Sequence, residues 1–267
     1  MGQRRYHRGR RKKKKGNLAS GLIFVIAVFV FCISTFQLFK ILKEYYDGRS
    51  EYDKIRKLAV TESDNGDSED EFRVDFEELL KINPDTIGWI RFTPEPSEIS
   101  YPIVQTDDNE TYLKKTFSAN ENTLGAIFLN TGNQADFSDC NSIIYGHRMK
   151  DGSMFRHLQD YEDQEFWEAN PCFYIYTPDG RRITYRIFSV GQVEDTSDTY
   201  LTSFASEDDY RAFLDMTRQT ALYDTGVEVT TEDTIITLST CTSASDNHRF
   251  VVRGVKEEER VPNYDEE

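Results

Sequence analysis

The chain has 267 residues, 38% of them hydrophobic and 13% aromatic, with a formal net charge of −15. That length allows one sizeable domain plus extensions, with enough apolar content for a packed core. Residues 1–15 hold nine Lys/Arg and no acid, which leaves residues 16–267 at −24; an acidic folded body excludes a nucleic-acid-binding reading.

In chain order, residues 1–15 form the basic segment. Gly16 to Phe39 then runs for 24 residues without a formal charge. As a helix this spans about 36 Å at 1.5 Å per residue, enough for a hydrocarbon core of roughly 30 Å. A cleaved signal has a shorter apolar run ending in small residues. Here the run is long and leads into "KILKEYYDG", so residues 16–39 are expected to be an uncleaved membrane anchor. Lys and Arg before the span keep the N-terminus cytoplasmic and place the body outside the membrane. Residues 40–70 are charged and poor in apolar residues, which predicts a juxtamembrane stalk, helical near the membrane and looser later.

The body is expected over residues 71–256. Phe72, Phe76, Leu79 and Leu80 recur at helical spacing, and Asn83-Pro84 stops that helix. Eight strand candidates follow: "TIGWIRF", "SYPIVQ", "GAIFLN", "NSIIYG", "CFYIYT", "RITYRIFSVGQV", "TIITLST" and "RFVVRGV". "YTPDGRRITY" carries the Pro-Asp-Gly signal of a hairpin. Two helical insertions interrupt them. In residues 151–171, Phe155, Leu158, Phe166 and Trp167 are placed to pack inward. In residues 206–224, Tyr210, Phe213, Leu214 and Thr217 share a face behind a Ser206-x-x-Asp209 cap. Many short strands with helices between them predict a mostly β fold, a closed or nearly closed barrel. Residues 257–267 read as an acidic solvated tail.

Of the four cysteines, Cys32 lies in the apolar span as a small apolar residue. Cys140 and Cys172 are treated as core thiols, with a disulfide between them the alternative. Neither they nor the histidines show metal-ligand spacing, and no carboxylate cluster has calcium-loop spacing, so neither metal nor cofactor is expected. Cys241 ends a strand between polar, turn-like flanks, and Arg249 lies across the loop of a hairpin with it. It is either a small residue at a strand end or a nucleophile at a barrel rim beside a cation. A thiol nucleophile needs a proton carrier. His7 lies before the span, His157 sits in a helix candidate, and His248 alternates with Arg249 to the opposite face. His147, at the end of "NSIIYGH", remains by elimination.

"TLSTC" with an Arg eight positions on, "IIYGHRMKDGSMF" upstream and the N-terminal anchor together resemble the sortases, cysteine transpeptidases of Gram-positive cell surfaces. The resemblance covers roughly residues 72–256. The helix inserted between "FSVGQV" and "TIITLSTC", with "IGWI" and "GAIFLN", is similar to class B members. It implies an eight-stranded sortase-type barrel in which Cys241 is the nucleophile, His147 the general acid/base and Arg249 the group that stabilises the oxyanion or positions substrate. By the same resemblance Asn109, Leu113, Tyr145, Tyr200, Leu201 and Ser239 line the substrate groove, with barrel packing the alternative for each. The implied reaction cleaves a sorting motif of the NPQTN or NPxTG kind in a secreted surface protein through a Cys thioester. It then transfers the product to an amine of a peptidoglycan precursor or cross-bridge. Pilin polymerisation, peptidase action that only hydrolyses, and a binding protein with a dormant site are the alternatives.

Overall fold

The structure, a computed structural model, describes residues 17–61, 72–242 and 247–261. The chain divides into two compact units between Glu44 and Tyr45. The leading unit is described by itself. Its part of helix α1 (Asn17–Ala59) exposes Phe24, Phe29, Phe31 and Phe39 along its length. α1 is long and apolar enough to cross a membrane, and none of its most apolar stretch is buried in protein.

In the second unit α1 continues to Ala59, and Tyr52, Ile55 and Ala59, spaced along one helical face, are buried. Residues 45–59, expected as part of a stalk, are thus a packed element of the domain. Three apolar positions at helical spacing are few beside the surrounding charges, so composition concealed them. The helix leads into β1 (Val60–Thr61), which pairs with β2 (Arg73–Val74). The later part of the expected stalk, residues 62–70, lies outside the described residues.

Helix α2 runs Phe76–Ile82, capped by the Asp75 carboxylate, which accepts from the Glu78 N–H. It starts later than the apolar spacing predicted. Phe72 is buried ahead of it against Tyr176, whereas Leu80 is 40% exposed. Eight further strands follow: β3 (Thr86–Phe92), β4 (Ser100–Val104), β5 (Ile127–Leu129), β6 (Asn141–Tyr145), β7 (Cys172–Tyr176), β8 (Arg182–Glu194), β9 (Ile235–Cys241) and β10 (His248–Arg260). All eight were anticipated, and they close as β10-β8-β7-β3-β4-β5-β6-β9, with β10 returning to β9. Closure satisfies the backbone groups that an open sheet leaves at its edges. Inside, Phe92, Phe173 and Tyr185 form a stack with centroids 5.2 and 5.3 Å apart, and the Trp89 indole N–H donates to Ser100 Oγ. β10 extends to Arg260, so the first part of the expected tail is strand; Glu257 pairs with Arg186 at 2.7 Å.

The connections build one end of the barrel. Between β6 and β7 the expected helix divides into a 3-10 helix (Arg156–Glu162) and a short α3 (Gln164–Ala169). Asp163 restarts the winding as an N-cap, its carboxylate accepting from the Glu165 N–H. Phe155 and Leu158 are buried, but Phe166 and Trp167 only partly. Between β8 and β9 lie a 3-10 turn (Asp198–Tyr200) and α4 (Glu207–Gln219), where Ser206 accepts from the Asp209 N–H and Tyr210, Phe213, Leu214 and Thr217 are buried, as their spacing required.

Candidate active site

The register of three adjacent strands assembles the site. β6 and β9 run parallel, with Tyr145 opposite Ser239, and the Gly146 N–H continues the ladder to the Ser239 carbonyl at 3.1 Å. His147 and Cys241 each lie two residues beyond that pair; the two-residue period sends Cys241 to the face of Ser239, while His147 follows the end of β6. On the other side of β9, Arg249 is the direct antiparallel partner of Cys241. Cys241 and Arg249 are thus cross-strand partners at one end of the barrel, and His147 follows the neighbouring strand at the same end. Cys241 is exposed, and neither it nor Cys140 or Cys172 is disulfide-bonded.

His147 is held by backbone. Its Nε2 lies 2.7 Å from the Leu113 carbonyl. A carbonyl can only accept, so Nε2 carries the proton and Nδ1 is left to exchange one. The carbonyl is set by a 3-10 turn over Thr111–Leu113. Asp108 fixes that turn by accepting from the Glu110 and Thr111 N–H groups and the Thr111 hydroxyl, at 2.7–2.8 Å. Those bonds hold its carboxyl below the usual range, the Thr111 N–H contributing most. Gly125 closes the other flank with φ +62°. A Cβ there would lie 2.6 Å from the Tyr112 carbonyl oxygen and 2.8 Å from His147 Cδ2. The Gly125 carbonyl in turn accepts from the Tyr52 hydroxyl at 2.7 Å, so the packed end of α1 supports the wall on which His147 rests.

Arg249 reaches Asp195 at 3.5 Å and donates to the His248 carbonyl at 3.1 Å. The Asp195 N–H bonds the Asn247 carbonyl, which holds this carboxylate beside the start of β10. His157 is occupied by Asp160 at 2.7 Å, away from any thiol role.

Of the six expected groove residues, three form one cluster. Tyr145 stacks on Tyr200 at 6.1 Å and 20°, and the Tyr200 hydroxyl shares a 2.9 Å hydrogen bond with Ser239 Oγ. Asn130 donates to the Tyr145 hydroxyl, and burial pushes both tyrosines up in pKa. Leu113 and Leu201 present side chains 38% and 44% exposed. The Leu201 carbonyl accepts from Asn141 Nδ2. Asn109 is a loop brace, its side-chain oxygen accepting from the Thr131 N–H at 2.8 Å.

Sequence reasoning missed Asp195, the Leu113 carbonyl, Gly125 and Arg253. Arg253 shares the strand face of Arg249 by the two-residue period, the one signal that pointed to it. It is fully buried and donates to Ser189 Oγ at 3.1 Å and Thr199 Oγ1 at 2.9 Å. Burial without a carboxylate pushes its pKa down to about 10. Among the described residues no cluster of His, Cys, Asp and Glu is arranged to hold a metal.

Comparison with known proteins agrees with this architecture. A sortase-domain family model matches residues 94–257. Sortase B of Listeria monocytogenes is 39% identical over 202 residues, covering 74% of this chain and 78% of that protein. Sortase B of Staphylococcus aureus is 31% identical over 228 residues, covering 84% and 88%. Among solved structures, sortase B from B. anthracis superposes with a TM-score of 0.69 at 31% identity, covering 82% of this chain and all of that one. A Staphylococcus aureus sortase B–substrate complex superposes at 0.68 and 28% identity, covering 81% and 99%. The chain belongs to the sortase family. Within that family it is of the class B type, a sortase-type cysteine transpeptidase.

Proposed function

We propose that α1 anchors this transpeptidase in the membrane with the barrel outside, where it cleaves an NPQTN- or NPxTG-like sorting motif and transfers the acyl product to a peptidoglycan amine. The observation that carries the reading is the register that pairs Cys241 with Arg249, and that pairs Tyr145 and Ser239, the residues two before His147 and Cys241. Cys241 Sγ attacks the scissile carbonyl, and the Arg249 guanidinium stabilises the charge that develops on its oxygen. His147 Nδ1, having taken the Cys241 thiol proton as the sulfur attacks, gives it to the departing amine, leaving a thioester on Cys241. An incoming amine then attacks the thioester, its surplus proton passes through His147 to sulfur, and the thiol is restored. The Tyr145–Tyr200–Ser239 cluster and the exposed Leu113 and Leu201 side chains border the groove that holds the motif.

Incubating the protein with a library of sorting-motif peptides, with and without an amine acceptor, and reading intact mass tests this. The expected result is an acyl adduct on Cys241 that disappears into amide product when acceptor is added. Free acid alone, insensitive to acceptor, would show a hydrolase instead.

A further inference from the structure

The Leu113 carbonyl that meets His147 Nε2 belongs to the connection between β4 and β5, a loop whose two legs are laced together. Tyr112 and Lys114, the neighbours of Leu113, turn their carbonyls to the opposite leg. They accept from the Ala126 N–H at 2.9 Å and the Asn122 N–H at 2.8 Å, and Lys115 bridges to Glu121 beyond them. Helix α1 grips this loop from outside. The buried Tyr52 hydroxyl donates to the Gly125 carbonyl at 2.7 Å and accepts from the Phe117 N–H at 3.2 Å, so one oxygen ties both legs. Burial pushes Tyr52 well above the ordinary tyrosine range, so the hydroxyl keeps the proton it donates. Next to it on α1, the Glu51 carboxylate accepts from the Ser118 N–H at 3.0 Å and from Asn120 Nδ2 at 3.1 Å, at the tip of the loop. Asn83 Nδ2 donates to the Phe117 carbonyl at 2.6 Å and to the Tyr112 hydroxyl at 2.7 Å.

We propose that Tyr52 is a positioning residue for His147: by tying both legs of this loop to α1 it keeps the Leu113 carbonyl on Nε2 and so sets the tautomer of the imidazole. The inference rests on the transpeptidase reading above, in which Nδ1 exchanges the proton. A neutral imidazole carries its proton on either nitrogen, and the bond made by one nitrogen fixes the choice. With the hydroxyl in place, Gly125 sits so close to the ring that a Cβ would lie 2.8 Å from His147 Cδ2, and the Leu113 carbonyl stays 2.7 Å from Nε2. Without it, the Gly125 carbonyl and the Phe117 N–H lose a buried partner, and the legs shift to recover the lost bonds. An imidazole released from the carbonyl also places its proton on Nδ1, the nitrogen that must be empty to take one from Cys241. Tyr52 acts through the loop and exchanges no proton itself.

The test compares the detergent-solubilised full chain as wild type, Tyr52→Phe and Ile55→Val. Tyr52→Phe deletes only the hydroxyl and keeps the ring that meets Tyr101 edge-on at 5.3 Å. Ile55→Val trims the same buried face of α1 and removes no hydrogen bond to the loop. Both are expected to lower Tm by a few degrees. The discriminating readout is the nitrogen-15 NMR spectrum of histidine-ring-labelled protein at alkaline pH, where imidazoles are neutral, with the His147 signals identified by their loss in His147→Gln. Wild type and Ile55→Val are expected to carry the proton on Nε2, and Tyr52→Phe to show a mixture of tautomers. In sorting-peptide cleavage, Tyr52→Phe is expected to lose about tenfold in kcat with KM within about twofold, part of the loss on the order of 100-fold that a displacement of about 1 Å brings. An unchanged tautomer or an unchanged kcat in Tyr52→Phe overturns the positioning role, and so does an equal loss of kcat in Ile55→Val. Absence of cleavage by the wild type overturns the transpeptidase reading instead, and the tautomer in Tyr52→Phe then decides the positioning role by itself.

Discussion

Gly125→Ala probes how firmly the backbone fixes His147. The new methyl would meet the Tyr112 carbonyl at 2.6 Å, His147 Cδ2 at 2.8 Å and the Leu113 carbonyl at 3.1 Å, at φ +62°. The left-handed backbone costs a non-glycine residue about 1–2 kcal/mol, and overpacking against backbone adds about 1–3 kcal/mol. For a domain of this size each kcal/mol lowers Tm by roughly 2–4 °C, so a fall of roughly 4–20 °C is expected. Gly180 is the control: φ is +86° there too, but nothing lies within 4 Å of a Cβ. Gly180→Ala should lose only the backbone share, roughly 2–8 °C. The activity readout separates them further. A displacement of His147 by about 1 Å is enough for a loss on the order of 100-fold in kcat/KM for peptide cleavage, while Gly180→Ala keeps wild-type turnover. Equal Tm losses in the two variants, or full activity in Gly125→Ala, would refute the claim that this glycine holds His147 in place.

Replacing the buried Arg253 by Met exchanges a desolvated charge for an apolar chain of similar length, a change that is often near neutral in stability. It also frees the Thr199 turn that carries Tyr200, so Tm is expected to stay within a few degrees while KM for the sorting peptide rises; an unchanged KM would detach Arg253 from the groove. Arg249→Lys keeps the charge but loses the planar fork, and kcat/KM should fall on the order of 100-fold, as when an oxyanion donor is removed; near-normal rates would leave Arg249 without the proposed role. Thiol-reactive labelling followed by peptide mapping should modify Cys241 before the part-buried Cys140 and Cys172. Labelling of either of those first would contradict the exposure of the β9 terminus.

The strands were legible because alternation of β-branched and polar residues is a local pattern, and all eight appear where it placed them. The thiol–arginine pair was legible as well, since a hairpin sets Cys241 opposite Arg249 by chain connectivity alone. His147 came by elimination from the residues and by motif from the family resemblance. The structure supplies what neither could, the parallel pairing of β6 with β9, two strands far apart in sequence. The apolar face of α1 beyond Glu44 was obscured by the charges around it. Tyr52 acquires its role only through Gly125, a residue 73 positions away.

By itself, then, the sequence determined the apolar N-terminal helix, the β-strand inventory and the residue types from which acyl-transfer chemistry is made, because each is written in composition or short-range periodicity. Tertiary structure alone decided what holds those residues: a main-chain carbonyl at Leu113, a glycine with no room for a Cβ, Asp195 beside Arg249, and a buried Arg253 under the Tyr200 turn. The physical reason is that every residue but proline carries the same backbone donor and acceptor. Which carbonyl meets an imidazole is therefore set by barrel closure, not by any side chain that a sequence can display.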